Sequence, residues 1–226
     1  MPLTEKASAI AETELRKLNV KLIEPFSKII TFYADNPALM PNNRGAQPNG
    51  GEEHIKSLVR IFYKARTPIH PSKPKTVPDP MVAFILEHYF NMPVESLLKA
   101  SDEHQLAMAA ENMVGDLLER YLAQNLEPTG WVWCAGSVVK SVDFIKPPLS
   151  GSEVWTVLQI KNRDNSENSS SSAIRNGTMI EKWFRTYSRT GNTNWSNFPD
   201  KAVSPQLSED NFQSFVKKYL IQLRSV

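Results

Sequence analysis

The 226-residue sequence has little cysteine, no long apolar run and almost no net charge. Cys134 is the single cysteine, so an intramolecular disulfide is excluded, and the four histidines do not join it in the spacing of a structural zinc site. The longest apolar run, residues 81–86, is far shorter than the roughly 18 residues that indicate a membrane span. The N-terminus carries no apolar targeting segment. We therefore expect a cytoplasmic protein without a membrane anchor.

The composition is that of a folded globular protein. Hydrophobic residues make up 41% of the chain and charged residues 22%. The balance of 26 basic and 24 acidic residues gives a net charge of +2, which does not by itself indicate a polyanionic partner. Any such partner must be inferred from how the charges are distributed.

Hydrophobic periodicity predicts a helical first half. Apolar residues recur at helical spacing over 4–18, 22–33, 52–66, 80–90 and 93–124, with a break expected near Ser101. An Asn-, Pro- and Gly-rich loop and a Pro-rich loop separate these segments. Lys56, Arg60 and Lys64 form a basic row on the third predicted helix. The row is either an ordinary solvated face or, together with Arg66, Lys73 and Lys75, a patch that contacts phosphates.

The pattern changes after Gly130. Short segments rich in Val, Ile and Trp at 131–139, 141–145 and 153–160 predict consecutive strands of one sheet. A helix is expected to begin at Thr178, and another from Ser208 to the end of the chain. The sequence therefore predicts a mixed α+β fold.

Three polar residues are expected to meet on the predicted sheet. Gln159 and Lys161 are two residues apart and so share one face of a strand, and Asp143 ends the preceding strand. This D-x15-Q-x-K arrangement resembles the PD-(D/E)xK nuclease motif. In that motif the acids hold a divalent metal and the lysine positions or activates the attacking water. Val142 stands in the position of the motif's proline, and Gln159 replaces its second acid.

A second carboxylate is therefore expected from elsewhere. Glu111 lies at helical spacing with the apolar residues Val114 and Leu118, whereas Glu119 falls on the polar face of the same helix. A carboxylate on a buried stripe is costly unless it is paired or bound to a metal. Glu111 is thus either a third metal-site residue, beside Asp143 and Gln159, or a partner in a structural ion pair.

The segment after Lys161 is rich in Asn and Ser and is framed by arginines. These side chains donate hydrogen bonds to phosphates and to base edges, so the segment is either a DNA-reading loop or a flexible linker. Basic and aromatic residues follow it. The residues predicted to contact DNA are Arg163, Asn165, Ser166, Asn168, Ser169, Arg175, Lys182 and Arg185.

Three stretches resemble a known family: AENMVGDLLERYLA, SVVKSVDFI and LQIKNRDNSENSSSSAIRNGTMIEKWFRT. They are similar to type II restriction endonucleases of the SinI type. The resemblance implies a homodimer that cleaves double-stranded DNA at GGWCC with Mg2+, and a DNA methyltransferase as its functional counterpart. It also implies a nuclease-like core with a central mixed sheet flanked by helices. One endonuclease domain is expected, with a helical part over about 1–104 and a catalytic and DNA-reading part over about 105–226.

The leading hypothesis is a metal-dependent, sequence-specific DNA endonuclease. One alternative is a non-catalytic nucleic-acid-binding module in which Asp143 and Lys161 form only a structural ion pair. A second alternative is a repair nuclease of the same motif that recognises DNA structure instead of sequence.

Overall fold

The computed structural model describes residues 3–43, 48–75, 77–149, 152–164 and 179–225. The helices in these ranges are α1 (Leu3–Leu18), α2 (Ile23–Asp35), α3 (Glu52–Arg66), α4 (Pro80–His88), α5 (Val94–Leu126) and α6 (Glu209–Arg224). The strands are β1 (Val132–Trp133), β2 (Phe144–Lys146), β3 (Thr156–Arg163) and β4 (Ile180–Thr186). The predicted mixed α+β fold is confirmed.

The chain forms two compact units. The first contains Met1–Pro68 and Leu118–Val226, and the second contains Ile69–Leu117. In the first unit, α1, α2 and α3 pack together through fully buried side chains, including Leu15 and Ile29. The rings of Phe26 and Phe62 meet edge to face at 5.2 Å. The three predicted N-terminal helices are therefore confirmed, because their apolar stripes face one another.

The sheet belongs to the first unit and has the strand order β1-β2-β3-β4. The first three strands are antiparallel neighbours, and β4 pairs in parallel with β3. Phe144 pairs with Leu158, and Leu158 pairs with Glu181. Because neighbouring residues of a strand point to opposite faces, this register decides which side chains meet.

Helices α2, α5 and α6 pack against the sheet through contacts near β3 and β4. At the start of β3, the Trp155 indole donates a hydrogen bond to Asp35 of α2 at 2.7 Å. Trp183 of β4 contacts Trp195, which in turn contacts Tyr121 of α5 and Phe212 of α6. The predicted C-terminal helix is confirmed, and it packs on the sheet side that carries Trp183.

Two predictions about the sheet region are wrong. The segment after Met179 is the strand β4, although a helix was expected from Thr178; six residue pairs with β3 outweigh its weak helical pattern. The expected strand 131–139 is reduced to β1, because Gly136 and Ser137 take positive φ angles of 79° and 57° that turn the chain.

The second unit contains α4 and residues 94–117 of α5. The break expected near Ser101 is also wrong, since α5 runs unbroken from Val94 to Leu126. No proline or glycine interrupts this helix before Gly115, and alanine-rich turns follow Ser101, so propensity favours continuity. Within the part of the chain that the structure describes, no helix has the length and apolar character needed to span a membrane.

Candidate active site

Asp143 is fixed by backbone hydrogen bonds on both sides. Its amide donates to the carbonyl of Leu158 at 2.9 Å, and its carbonyl accepts from the amide of Cys134 at 2.8 Å. The carboxylate Oδ2 accepts a third hydrogen bond from the amide of Ile160 at 2.6 Å. The acid is therefore held by the strand that also carries Gln159 and Lys161.

The fold brings the three predicted residues together. Asp143 directly precedes β2, and its hydrogen bonds to Leu158 and Ile160 hold it beside Gln159, which lies between those two residues on β3. Lys161 follows two residues later on the same side of β3 as Gln159. We call this side of the sheet, defined by Asp143, Gln159 and Lys161, the site face.

The two strands bury these residues to different extents. Gln159 is 3% exposed, while Asp143 and Lys161 are partly exposed. Gln159 is therefore the most buried of the three residues.

Burial dominates the electrostatics of Asp143. Loss of solvent raises the pKa of its carboxyl from 3.8 to about 6, although the amide of Ile160 and the positive charge of Lys161 both act to lower it. The influence of Lys161 requires the acid and the ammonium to be electrostatic neighbours. The Ile160 amide and Lys161 do not fully compensate the cost of burying the ionised Asp143 carboxylate. A bound cation would stabilise that negative charge further, and strongly shifted pKa values are common at functional sites.

The parallel pairing adds two residues of β4 to the site face. Lys182 pairs with Gln159, and Phe184 pairs with Lys161. Both side chains are partly exposed. Sequence reasoning had assigned Lys182 to a DNA-contacting helix; with the strand register known, it becomes the nearest basic neighbour of Gln159 along β4.

Glu111 and Glu119 of α5 have the reverse of the expected burial: Glu111 is on the exposed side of the helix and Glu119 is on the partly buried side. Glu111 is exposed, so the expectation that it lies on the buried stripe is wrong. The stripe instead passes through Ala109, Met113 and Leu117. Glu119 is partly buried, and it accepts a hydrogen bond from the Trp133 indole at 2.9 Å. Its spacing of three and seven residues from Leu122 and Leu126 is the signal that places it toward the sheet.

The predicted DNA-contacting residues fall into three groups. Arg163 ends β3 on the site face and is exposed. Arg185 lies on the other face, where its guanidinium donates to Glu209 at 2.6 Å and to Asn162 at 2.9 Å. The remaining predicted residues lie outside the described residues: Asn165, Ser166, Asn168, Ser169 and Arg175.

The basic row of α3 is largely neutralised within its own unit. Lys56 lies 2.7 Å from Glu52, and Arg60 lies 2.9 Å from Glu14. Arg66 forms an ion pair with Glu127 at 2.7 Å. These pairs favour the solvated-face interpretation over the phosphate-contacting patch, because a paired cation has less charge to offer a polyanion.

The donor atoms of the site face suit a hard divalent cation. Asp143 offers a carboxylate and Gln159 offers an amide oxygen, the ligand types that Mg2+ prefers. Among the described residues, no group of three His, Cys, Asp or Glu side chains is arranged to hold a metal ion. Mg2+ is commonly bound by one or two carboxylates together with several retained waters, and the oxygen atoms of Asp143 and Gln159 are of the type it takes.

An acid, an amide and a lysine on neighbouring strands of a mixed sheet define a candidate hydrolase site. Comparison with known proteins gives the family. The family model described as SinI restriction endonuclease matches residues 7–222, and the chain belongs to this family. The prediction of a restriction endonuclease is confirmed.

Two curated relatives extend the comparison over nearly the whole chain. The chain is 47% identical to the type II restriction enzyme Eco47I from Escherichia coli over 222 residues, covering 97% of this chain and 96% of the relative. It is also 47% identical to the type II restriction enzyme SinI from Salmonella infantis over 223 residues, with the same two coverages.

Proposed function

We propose that this chain is a type II restriction enzyme that hydrolyses phosphodiester bonds of double-stranded DNA with a divalent cation. The observation that carries the proposal is the grouping of Asp143, Gln159 and Lys161 at the site face, with an acid whose burial cost is not fully compensated. The family and the names of its two relatives support the choice of DNA as substrate.

Asp143 and Gln159 would hold the cation, for which we propose Mg2+. Bound there, Mg2+ supplies positive charge to the scissile phosphate and lowers the pKa of water. Glu111 is left out of the proposed ligand set because its exposure removes the reason for including it. The Ile160 amide keeps the Asp143 carboxylate turned toward the site face.

The lysines of the site face have separate proposed roles. Lys161 holds the attacking water through its ammonium protons and favours the developing hydroxide by its charge. Lys182, which pairs with Gln159 on β4, neutralises a non-bridging phosphate oxygen. Neither role requires the lysine to lose its own proton.

Arg163 extends the site face toward the DNA. Its exposed position two residues beyond Lys161 suits a contact to the phosphate that flanks the cleaved one. Arg185 is proposed to be structural, since Glu209 and Asn162 already bind its guanidinium. For the residues at 165–175 we retain the proposal of base and phosphate contacts on the resemblance alone.

The resemblance also supplies the proposed target and assembly. We propose cleavage at GGWCC by a homodimer, with one site acting on each strand of a two-fold symmetric sequence. A DNA methyltransferase of the same specificity is the proposed functional counterpart, which protects the host DNA.

The test is digestion of a sequenced plasmid by the purified full-length protein with Mg2+ or with a chelator. We expect discrete fragments whose ends map to one sequence, and none with the chelator. Lys161→Ala is expected to abolish cleavage, whereas Lys217→Ala, a change of an exposed lysine on α6, keeps it.

DNA binding measured on the same variants separates the alternatives. Specific binding without any metal-dependent cleavage by the wild type would refute the enzyme and favour a non-catalytic binding module. Preferential cutting of branched DNA would favour a structure-specific nuclease. Cleavage by Lys161→Ala at the wild-type rate would remove Lys161 from the site.

A further inference from the structure

The chain turns back after β4 and forms a short hairpin along the outer edge of the sheet. Thr186 forms an antiparallel bridge with Thr193, and the amide of Tyr187 donates to the carbonyl of Asn192 at 2.9 Å. Because β4 is the last strand in the sheet order, the returning segment lies at the sheet edge. We call residues 186–194 the edge hairpin.

Hydrogen bonds within the edge hairpin define the conformation of its turn. The amide of Gly191 donates to the carbonyl of Tyr187 at 2.8 Å, and Gly191 takes a φ angle of 73°, which favours glycine. The buried Asn194 accepts a hydrogen bond from the Tyr187 hydroxyl at 3.2 Å and donates to the carbonyl of Phe184 at 3.0 Å. A preformed hairpin loses little conformational entropy when it binds a ligand.

The edge hairpin is also attached to the site face. The rings of Tyr187 and Phe184 meet edge to face at 5.0 Å, and Phe184 pairs with Lys161. The carboxylate of Asp164, which directly follows β3, accepts a hydrogen bond from the amide of Ser188 at 2.9 Å. Contacts at the ends of both β3 and β4 therefore hold the hairpin next to the lysine that is proposed to position the water.

The distance along the strands suits a contact to bases near the cleaved bond. Thr186, the first residue of the edge hairpin, pairs with Arg163, which is two residues beyond Lys161. Two residues of a strand span about 7 Å. Since base pairs stack about every 3.4 Å, a duplex that passes Lys161 and Arg163 reaches the hairpin after about two base-pair steps.

Arg189 is in the turn of the edge hairpin and is its only charged residue. Its side chain is exposed and forms no hydrogen bond or ion pair with another residue that the structure describes. Its guanidinium is a planar pair of donors that matches the two acceptors on the major-groove edge of guanine, and that groove admits a two-stranded β-ribbon. Five other arginines are already engaged in ion pairs or with backbone carbonyls: Arg16, Arg60, Arg66, Arg120 and Arg185.

We propose that the edge hairpin enters the major groove beside the cleaved bond and that Arg189 recognises a guanine there. The inference rests on the proposed function for its ligand, duplex DNA. It adds a residue that selects the sequence, whereas Arg163 and Lys182 are proposed to contact phosphates. Phosphate contacts position a duplex but carry no sequence information, and a guanidinium fork at a base edge does.

Fluorescence anisotropy with labelled duplexes tests the proposal in the full-length protein. Asp143→Asn serves as the parent, because its expected inactivity keeps the DNA intact. The cognate duplex carries GGACC, a form of the proposed target, and the reference duplex carries an unrelated sequence. In two further duplexes, 7-deazaguanine, which lacks the N7 acceptor, replaces either the outer or the inner guanine of the site in both strands.

Arg189→Ala is expected to raise the dissociation constant for the cognate duplex about 5- to 150-fold, as loss of one bidentate base contact does, and that for the reference duplex by less than about two-fold. Arg189→Lys keeps the charge but not the fork, so it loses most of the same discrimination. One 7-deazaguanine duplex is expected to bind the parent at least about 5-fold more weakly than the cognate duplex, and Arg189→Ala is expected to bind both alike. Arg224→Ala, which changes an exposed arginine at the end of α6, is the matched control and binds as the parent does.

The outcomes separate this inference from the proposed enzyme. Cognate binding by Arg189→Ala at the parent's affinity would overturn the inference, and so would equal losses of both proteins on the 7-deazaguanine duplexes. A uniform loss on all duplexes, with a salt slope reduced by about 1, would make Arg189 a phosphate contact and overturn it as well. Discrete digestion of plasmid DNA by the wild type would leave the proposed function standing in each of these cases. A wild type that never cleaves DNA, beside a parent whose specific binding depends on Arg189, would refute the enzyme and leave the inference standing.

Discussion

Replacement of Asp143 by asparagine is expected to inactivate the enzyme and to stabilise the metal-free protein. Burial raises the pKa of the Asp143 carboxyl from 3.8 to about 6, so the folded state binds this proton more tightly than the unfolded state. Stability is therefore lost as the pH rises through 6 and the carboxyl ionises. The full penalty is about 3 kcal/mol at pH 8 and about half of that at pH 5. Asparagine carries no charge and removes the penalty, while its amide oxygen keeps the acceptor for the Ile160 amide.

The assay is urea and thermal unfolding of both proteins with a chelator present, at pH 5 and pH 8. Asp143→Asn is expected to melt about 6–12 °C above the wild type at pH 8, and by about half that margin at pH 5. Equal melting temperatures at pH 8, or a margin that grows toward acid pH, would refute the reasoning.

Asp200→Asn is a matched control of opposite sign. Although burial acts to raise the pKa of Asp200, hydrogen bonds from Trp131 and Lys146 bring it below its usual value. The ionised Asp200 therefore contributes stability at neutral pH, which is lost as the pH falls. The Asp200→Asn variant is expected to melt below the wild type at pH 8.

Three further outcomes are expected. Mg2+ should raise the melting temperature of the wild type and do so much less for Asp143→Asn; an equal rise in both, measured by thermal unfolding, would place the cation elsewhere. Lys182→Ala should weaken DNA binding in the absence of metal and reduce the slope of log affinity against log salt by about 1, as loss of one phosphate contact does; an unchanged slope in a salt titration would contradict that contact. Arg185→Ala should lower the free energy of unfolding by about 2–4 kcal/mol, since it leaves Glu209 without its 2.6 Å partner; urea unfolding with near-wild-type stability would contradict the structural role.

The helical half of the fold could be predicted because its signals are local. Periods of 3.6 residues and breaks at Pro and Gly gave the three N-terminal helices and the C-terminal helix. The strand β4 could not be found this way. Its sequence, IEKWFRT, has no alternation of apolar and polar residues. It forms a strand because it pairs with β3, and a contact between segments distant in sequence is not visible in the local pattern.

The candidate site was partly accessible from the sequence for the same reason. Alternation along one strand places Gln159 and Lys161 together, and a short connection brings Asp143 beside them. The position of Lys182 depends on the parallel pairing of β3 with β4. These strands are separated in sequence by residues 164–179, so patterns within a short stretch of sequence do not predict the pairing. Glu111 was misplaced because the periodicity of α5 is weak, so two apolar stripes fit its sequence and the packing selects one.

The bond from the Ile160 amide to Asp143 has a consequence for how the family can diversify. Because a main-chain group of one strand orients the acid of the next, the spacing between the acid and Lys161 is set by strand pairing and not by the surrounding side chains. Under the proposed function, surface loops and helices could then change in sequence, and with them the bases recognised, while Asp143 and Lys161 keep their spacing. Altering specificity and preserving turnover would be separable engineering problems in this scaffold.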